Sequence, residues 1–301
     1  MQLKALKIFC DVVVHHSFSQ AAEINNITQS TASQSVHRLE KQLGTELINR
    51  SVRPWKITES GRRCYEFCRD VLHAYDRLER EISSSRGRIR SKVRIGSIYS
   101  VGFCYMTQCT ERFSAGNKTD ELHVEYLHPE IIIDRVLKDE LDLGIVSFPP
   151  NRREIEVISC GEEELVIACS PGHELAREDE ISPARLEGHS FVGFDRGLLV
   201  SRRINNRLKA IGIYPQIVMR FDNIEAIKRA VEDSHYLSIL PRPTLERELN
   251  IGTLCARPLA GFALTRPLGI IYNKKRKLTP ADKEFIQILQ NVVEEVHQHL
   301  R

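Results

Sequence analysis

From Glu59 to Ser84 a series of apolar positions keeps one regular spacing. Cys64, Cys68, Val71, Tyr75, Leu78 and Ile82 follow at intervals of four, three, four, three and four. A sustained 3.5-residue repeat predicts a long helix with a coiled-coil seam. Arg62, Arg69, Asp70, Arg77, Glu79 and Arg80 occupy its other faces. A narrow apolar stripe on a charged helix fits pairing with a second copy; packing against its own domain is the competing reading.

Upstream, "SFSQAAEINNITQSTASQSVHRLEKQLG" (Ser17 to Gly44) reads as two helices separated by a tight turn. Ser17 or Ser19 can cap the first, and small Ala21 and Ala22 allow a close helix crossing. Asn25 and Asn26 suit the turn, Thr28 caps the second helix, and Gly44 stops it. Val36, Leu39 and Leu43 form its inward stripe. Gln29, Ser30, Ser33 and Gln34 lie outward, where a solvated helix more often carries Glu and Lys. These side chains pair with base edges and phosphates. The next stretch, "TELINRSVRPWKIT", reads as a β-hairpin with Arg50 and Arg53 near its tip, a basic wing.

Beyond "SSSRGRIRS" (Ser83 to Ser91), small and basic as a hinge is, the pattern turns to alternating strands and helices. Strands are expected at "KVRIGSI", "LHVEYL", "LDLGIV", "EELVIAC", "SFVGF", "QIVMRF", "YLSILP" and "RPLGIIYN", with amphipathic helices between them. The rhythm is that of an α/β unit with largely parallel sheets. "SFPPNRR" (Ser147 to Arg153) and "LAGFALTRP" (Leu259 to Pro267) look like two crossings between sub-domains that enclose a cleft. The divisions are therefore 1–58 for the winged helix-turn-helix, 59–90 for the linker helix and hinge, and 91–301 for a two-lobed domain. Lobe I takes about 91–150 and 267–301, and lobe II about 151–266.

Charge sharpens this picture. Of 43 basic and 40 acidic residues, 15 and 10 lie in residues 1–90, so the basic excess sits at the end expected to meet phosphates. Eight scattered cysteines form no CxxC pair and have no zinc-ligand spacing, as suits a reducing cytoplasm. No apolar run is long enough for a membrane span, and Lys4, Lys7 and Asp11 break any secretory leader. No P-loop, GxSxG, HExxH or GxGxxG after a strand is present, so no enzymatic chemistry, cofactor or metal is expected.

The residues "LKIFCDVVVHHSFSQAA", "TQSTASQSVHRLEKQLGTELINR" and "ITESG" resemble the DNA-binding domain of LysR-type transcriptional regulators. More loosely, "LKDELDLGIV" and "DNIEAIKRAVEDSHYLSILP" are similar to segments of that family's effector domain. The resemblance implies a winged helix, a linker helix that pairs two chains, and a two-lobed effector domain resembling periplasmic binding proteins. It further implies a co-inducer in the cleft, double-stranded DNA with dyad symmetry as a partner, and a dimer of dimers, with RNA polymerase a candidate contact.

Ligands of open α/β sheets sit beyond strand C-termini and at helix N-termini. This selects Ser97, Tyr99, Ser100, His128, Ser147, Phe148, Phe194, Asp195, Arg196, Arg202, Asp222 and Asn223. A small anion is favoured, although Asp195 and Asp222 would favour an amine if they faced inward. Two rival readings stay open on sequence alone, a two-lobed α/β enzyme and an architectural protein indifferent to DNA sequence.

Overall fold

The computed structural model describes residues 3–84, 92–117 and 120–299. The chain divides into two compact units, residues 1–89 and 90–301.

In the first unit, α1 (Leu3–His15), α2 (Phe18–Ile24) and α3 (Gln29–Leu43) bury Phe9, Val12, Ala21, Ala32, Val36 and Leu39 together. Ser17 Oγ accepts the Gln20 N–H, and Thr28 Oγ1 accepts the Thr31 N–H, so both helix starts are capped. Asn26 takes φ 52° in the turn, and Gly44 takes φ 68° after α3. Leu43, expected inward, is 45% exposed; the buried stripe begins one turn earlier, at Ala32. Strands β1 (Ile48–Asn49) and β2 (Lys56–Ile57) pair antiparallel as the wing.

Helix α4 (Glu59–Ser84) starts against that wing, with Thr58 Oγ1 accepting the Gly61 N–H at 2.9 Å. A Cβ at Gly61 would lie 2.1 Å from the Leu47 carbonyl oxygen, so only glycine lets α4 come this close. The expected seam needs correction here. Cys68 is buried in the core of this unit, and Cys64, Tyr65 and Leu72 pack against it. Cys64 and Cys68 therefore face α1 and not a second copy. The exposed apolar residues of α4 are Phe67, Val71, Tyr75 and Leu78. The side chain of Ile82 and the hinge residues 85–91 lie outside the described residues.

The second unit opens with β3 (Lys92–Ser97) and α5 (Tyr99–Val101), which runs through a π turn at Gly102–Met106 into α6 (Thr107–Gly116). Next come β4 (Glu121–Tyr126), α7 (Pro129–Leu137) and β5 (Leu143–Ser147). The long β6 (Ile155–Cys169) leads to β7 (Ser190–Phe194), α8 (Leu199–Ala210), β8 (Gln216–Phe221) and α9 (Ile224–Glu232). The chain continues through β9 (Ser238–Pro241), α10 (Glu246–Ile251) and β10 (Cys255–Arg257). It ends with β11 (Thr265–Asn273) and α11 (Pro280–His299).

The main sheet runs β10-β6-β11-β5-β3-β4, with β9 also on β6. Among the described strands the parallel ladders are β3 with β4 and β5, and β7 with β8, with isolated parallel bridges at Ile181↔Leu259 and Phe191↔Leu237; the pairs made by β6 and β11 are antiparallel. The sheets are thus mixed, not largely parallel. The first crossing also lies later than Ser147–Arg153. Ile155 and Cys160 belong to the lobe I core with Ile95, Ile145 and Phe285, whereas Leu165 begins the lobe II core with Phe191 and Leu240. The chain passes between lobes inside β6, near Gly161–Glu164.

Buried charge organises lobe I. Asp142, fully buried, accepts the Arg94 N–H and guanidinium, and Arg276 Nη1 lies 2.8 Å from it. Arg276 Nη2 donates in turn to buried Asp282. This cluster ties the starts of β3, β5 and α11, and it buries the one arginine of "KKRK" (Lys274–Lys277). Removing one partner would strand a buried charge at a cost of about 3–5 kcal/mol.

In lobe II, buried His173 accepts the Leu175 N–H through Nδ1 at 3.1 Å, and its ring centroid lies 5.0 Å from that of His189. Burial first, then the charges of His189 and His235, hold its pKa below the ordinary histidine value, against the pull of Glu174. A depressed folded pKa means that this stability is whole above the unfolded value of about 6.5 and is lost as pH falls below it toward the folded pKa. The melting temperature should drop between pH 7.5 and pH 5.5. His173→Asn keeps the acceptor but cannot titrate, so it should reduce that drop; an undiminished drop would remove His173 as its source.

Candidate functional site

Two surfaces carry the sites expected from sequence. On α3, Gln29, Ser30 and Gln34 are exposed and Ser33 is half-buried, all within the first two turns. Gln29 with Ser33, and Ser30 with Gln34, stand one turn apart, so they share a face. Ser30 Oγ also contacts the capping Thr28 hydroxyl at 2.9 Å. The cap and the candidate contact surface are thus one structure.

The two wing arginines differ. Arg53 is exposed at the tip. Arg50 Nη1 donates to Glu40 Oε2 at 2.8 Å, and its guanidinium lies over the Phe18 ring. Glu40 Oε1 accepts the backbone N–H groups of Leu47 and Ile48 as well. Burial pushes the Glu40 carboxyl up, but Arg50 and the two backbone donors outweigh it and hold the pKa below the ordinary value. Arg50 therefore fastens the wing to the end of α3, a positioning role that the sequence alone did not suggest.

The cleft of the second unit encloses about 390 Å³. Tyr99, Ser100, His128, Ser147, Phe148, Phe194, Arg202 and Asp222 line it, as their places after strands predict. Four expected residues do not. Ser97 is fully buried and donates to the Ile98 carbonyl. Asp195 Oδ1 accepts the Gly197 N–H at 2.7 Å, and Asn223 Oδ1 accepts the Glu225 N–H as the cap of α9. Arg196 is not among the lining residues.

Sequence reasoning missed Arg152, Arg266, Tyr126 and Glu130 in the lining. No local signal marks Arg266, which sits in the return crossing beside Pro267. Phe148 carries a signal only the backbone shows. Its φ is 51°, rare for a bulky side chain, and it packs on the lobe II core under Arg203.

Cys169 and Cys255, distant in sequence, are register partners across β6 and β10. Burial, with Cys255 nearby, pushes the Cys169 thiol up to about 11, so it stays protonated. Among the described residues no group of His, Cys, Asp or Glu could hold a metal ion, and no helix is long and apolar enough to cross a membrane.

A winged helix joined to a two-lobed unit with a lined cleft defines a DNA-binding regulator with a ligand-binding domain. Comparison with known proteins agrees. Residues 3–62 match the family model described as bacterial regulatory helix-turn-helix protein, lysR family, and residues 86–294 match that of the LysR substrate binding domain. The chain is 26% identical to the RuBisCO operon transcriptional regulator of Allochromatium vinosum, over all of this chain and 99% of that one. It is 25% identical to the HTH-type transcriptional regulator CysL of Bacillus subtilis (strain 168), over 97% of both. Full-length CbnR, solved with its target DNA, shares the fold with a TM-score of 0.73 at 18% identity, over 97% of this chain and 100% of that one. The chain belongs to the LysR family of bacterial transcriptional regulators.

Replacing Gln29 with Ala should reduce discrimination between operator variants by about 1–3 kcal/mol, the range of a bidentate base contact. Arg53→Ala should weaken binding to every sequence alike and reduce the salt slope by about one. Unchanged discrimination by Gln29→Ala in competition binding would take Gln29 out of the recognition surface.

Proposed function

We propose that the chain is a non-enzymatic cytoplasmic regulator that binds dyad-symmetric DNA as a homo-oligomer, a dimer of dimers, and is switched by a small anion in the cleft. Contact with RNA polymerase belongs to the same reading. The observation that carries the oligomer is the exposed row Phe67, Val71, Tyr75 and Leu78 on α4, apolar side chains on an otherwise charged helix. Pairing two such helices buries the row and sets two winged helices about one two-fold axis. A dyad in the DNA then mirrors the dyad in the protein.

The anion rests on the lining charges. Arg152, Arg202 and Arg266 line the cleft with Glu130 and Asp222, and Arg266 is paired with buried Glu163. Asp195, turned onto the Gly197 N–H, no longer argues for an amine. A ligand that fits one arrangement of the lobes better than another shifts the equilibrium between them, and with it the placement of the DNA-binding units.

The pairing is tested at Leu78. An aspartate there would meet its counterpart in an apolar seam, at a cost of about 3 kcal/mol. Leu78→Asp should sediment as a smaller species and lose affinity for dyad DNA, while the second unit melts as before. An unchanged sedimentation coefficient would contradict pairing through α4.

A further inference from the structure

The face of α3 that carries the candidate base contacts does not end with Gln34. Ser30, Ser33, Gln34 and His37 stand at i, i+3, i+4 and i+7, so they form one stripe along the helix. Ala32, Val36 and Leu39 are buried on its other side. The His37 side chain is 76% exposed. It begins the third turn, just beyond the two turns whose side chains are placed to reach base edges. A recognition helix enters the groove by its N-terminal end. A residue one turn further along therefore stands level with the rim of the groove and its phosphates.

The neighbours of His37 fix how its ring is presented. Nδ1 lies 3.7 Å from Glu40 Oε2, within ion-pair range and too long for a hydrogen bond. The same oxygen accepts Arg50 Nη1 at 2.8 Å. Glu40 Oε1 is held by the Leu47 and Ile48 N–H groups, so the carboxylate is fixed in place. With the Nδ1 edge toward Glu40, Nε2 lies on the side of the ring away from it. The other charges oppose protonation of the ring. Arg50 stands on the wing side of the shared Glu40 oxygen, and Arg38 and Lys41 belong to the same helix. One anion against three cations leaves an imidazolium short of a partner at Nε2, and a DNA phosphate supplies it.

We propose that His37 is a further DNA contact of this protein, donating from Nε2 as an imidazolium to a backbone phosphate, with Glu40 behind it as the positioning carboxylate. This rests on the reading of α3 as the recognition helix. Binding then takes up one proton for each DNA-binding unit engaged. The charged ring is the form that binds, so the contact is whole at low pH and is lost as pH rises and the ring becomes neutral. A phosphate contact carries no sequence information. Affinity for every duplex therefore shifts alike, while discrimination stays with Gln29 and its neighbours. Glu40 serves two cations at once, a permanent one on the wing and a titratable one on the recognition face.

The test uses the full chain and two labelled duplexes, one selected from random DNA by the wild-type protein and one of random sequence. Both are titrated at pH 6 and pH 8 over a range of salt. Wild type should bind each duplex about tenfold tighter at pH 6, the scale of a hydrogen bond to a charged partner. Its logarithmic salt slope should also be steeper there, by about 0.9 for each unit engaged. His37→Gln should lose both differences, and His37→Lys should bind as tightly at pH 8 as at pH 6. His15→Gln with His16→Asn changes two exposed histidines at the end of α1 and should keep the wild-type pH dependence. An unchanged pH dependence in His37→Gln, or its loss in the His15 and His16 pair instead, would overturn the assignment. So would a His37→Gln effect confined to discrimination between the duplexes. Gln29→Ala separates the two claims. If it loses discrimination while His37→Gln behaves as wild type, the recognition helix stands and the His37 contact falls. If Gln29→Ala and both His37 variants bind the two duplexes as wild type does, the recognition helix itself is misassigned.

Discussion

The second unit depends on one pairing, that of β6 with β11. These antiparallel strands carry a shared ladder from Asn273↔Ile155 to Thr265↔Glu164, with an irregularity between Pro267 and Gly269. One end of β6 lies in the lobe I core and the other in the lobe II core. The lobes are therefore joined by backbone hydrogen bonds inside a sheet, and the cleft opens beside the junction. That places Phe148, Arg266 and the end of β5 on its wall without any loop having to reach across.

The same device recurs at smaller scale. A buried carboxylate stands at three junctions: Glu40 between α3 and the wing, Asp142 between β3, β5 and α11, Glu163 between the π turn, β6 and β11. Asp142 and Glu163 collect donors from segments distant in sequence, and Glu40 from the hairpin that follows its own helix. Buried ion pairs are weak sources of net stability, because desolvation offsets their attraction, but a missing partner is heavily penalised. Their use here is to fix how elements meet. At Glu163 the arrangement leaves one buried donor over, Arg266 Nη2.

Much of this was legible along the chain, for physical reasons. Capping residues act within a few positions, so Ser17, Thr28 and Gly44 mark real helix ends. The alternation of apolar runs located β7 and β8 residue for residue. What failed depended on tertiary partners. The 3.5-residue spacing from Cys64 to Ile82 says that a stripe exists, not which neighbour covers it. Across Gly61, Cys64, Tyr65, Cys68 and Leu72 the chain follows the 3.6-residue period of a helix docked on its own domain. The first half of β6, "IEVISCGE", hid because one side faces solvent, and Glu156, Ser159, Gly161 and Glu162 interrupt its apolar run. Of the cleft, positions after strands could be found by topology. Arg266 could not, because its significance comes from Glu163, a hundred residues earlier in the chain.

The central claim is that two winged helices are held about one axis and read one DNA site. Its most direct measurement is the affinity of the full chain for a site selected from random DNA, as the distance between the two half-sites is varied. Adding about 5 base pairs rotates one half-site to the opposite side of the duplex, and adding about 10 restores its face. The account predicts that affinity falls at the first spacing and recovers at the second. Selected sites without a dyad, or an affinity indifferent to the spacing, would contradict it.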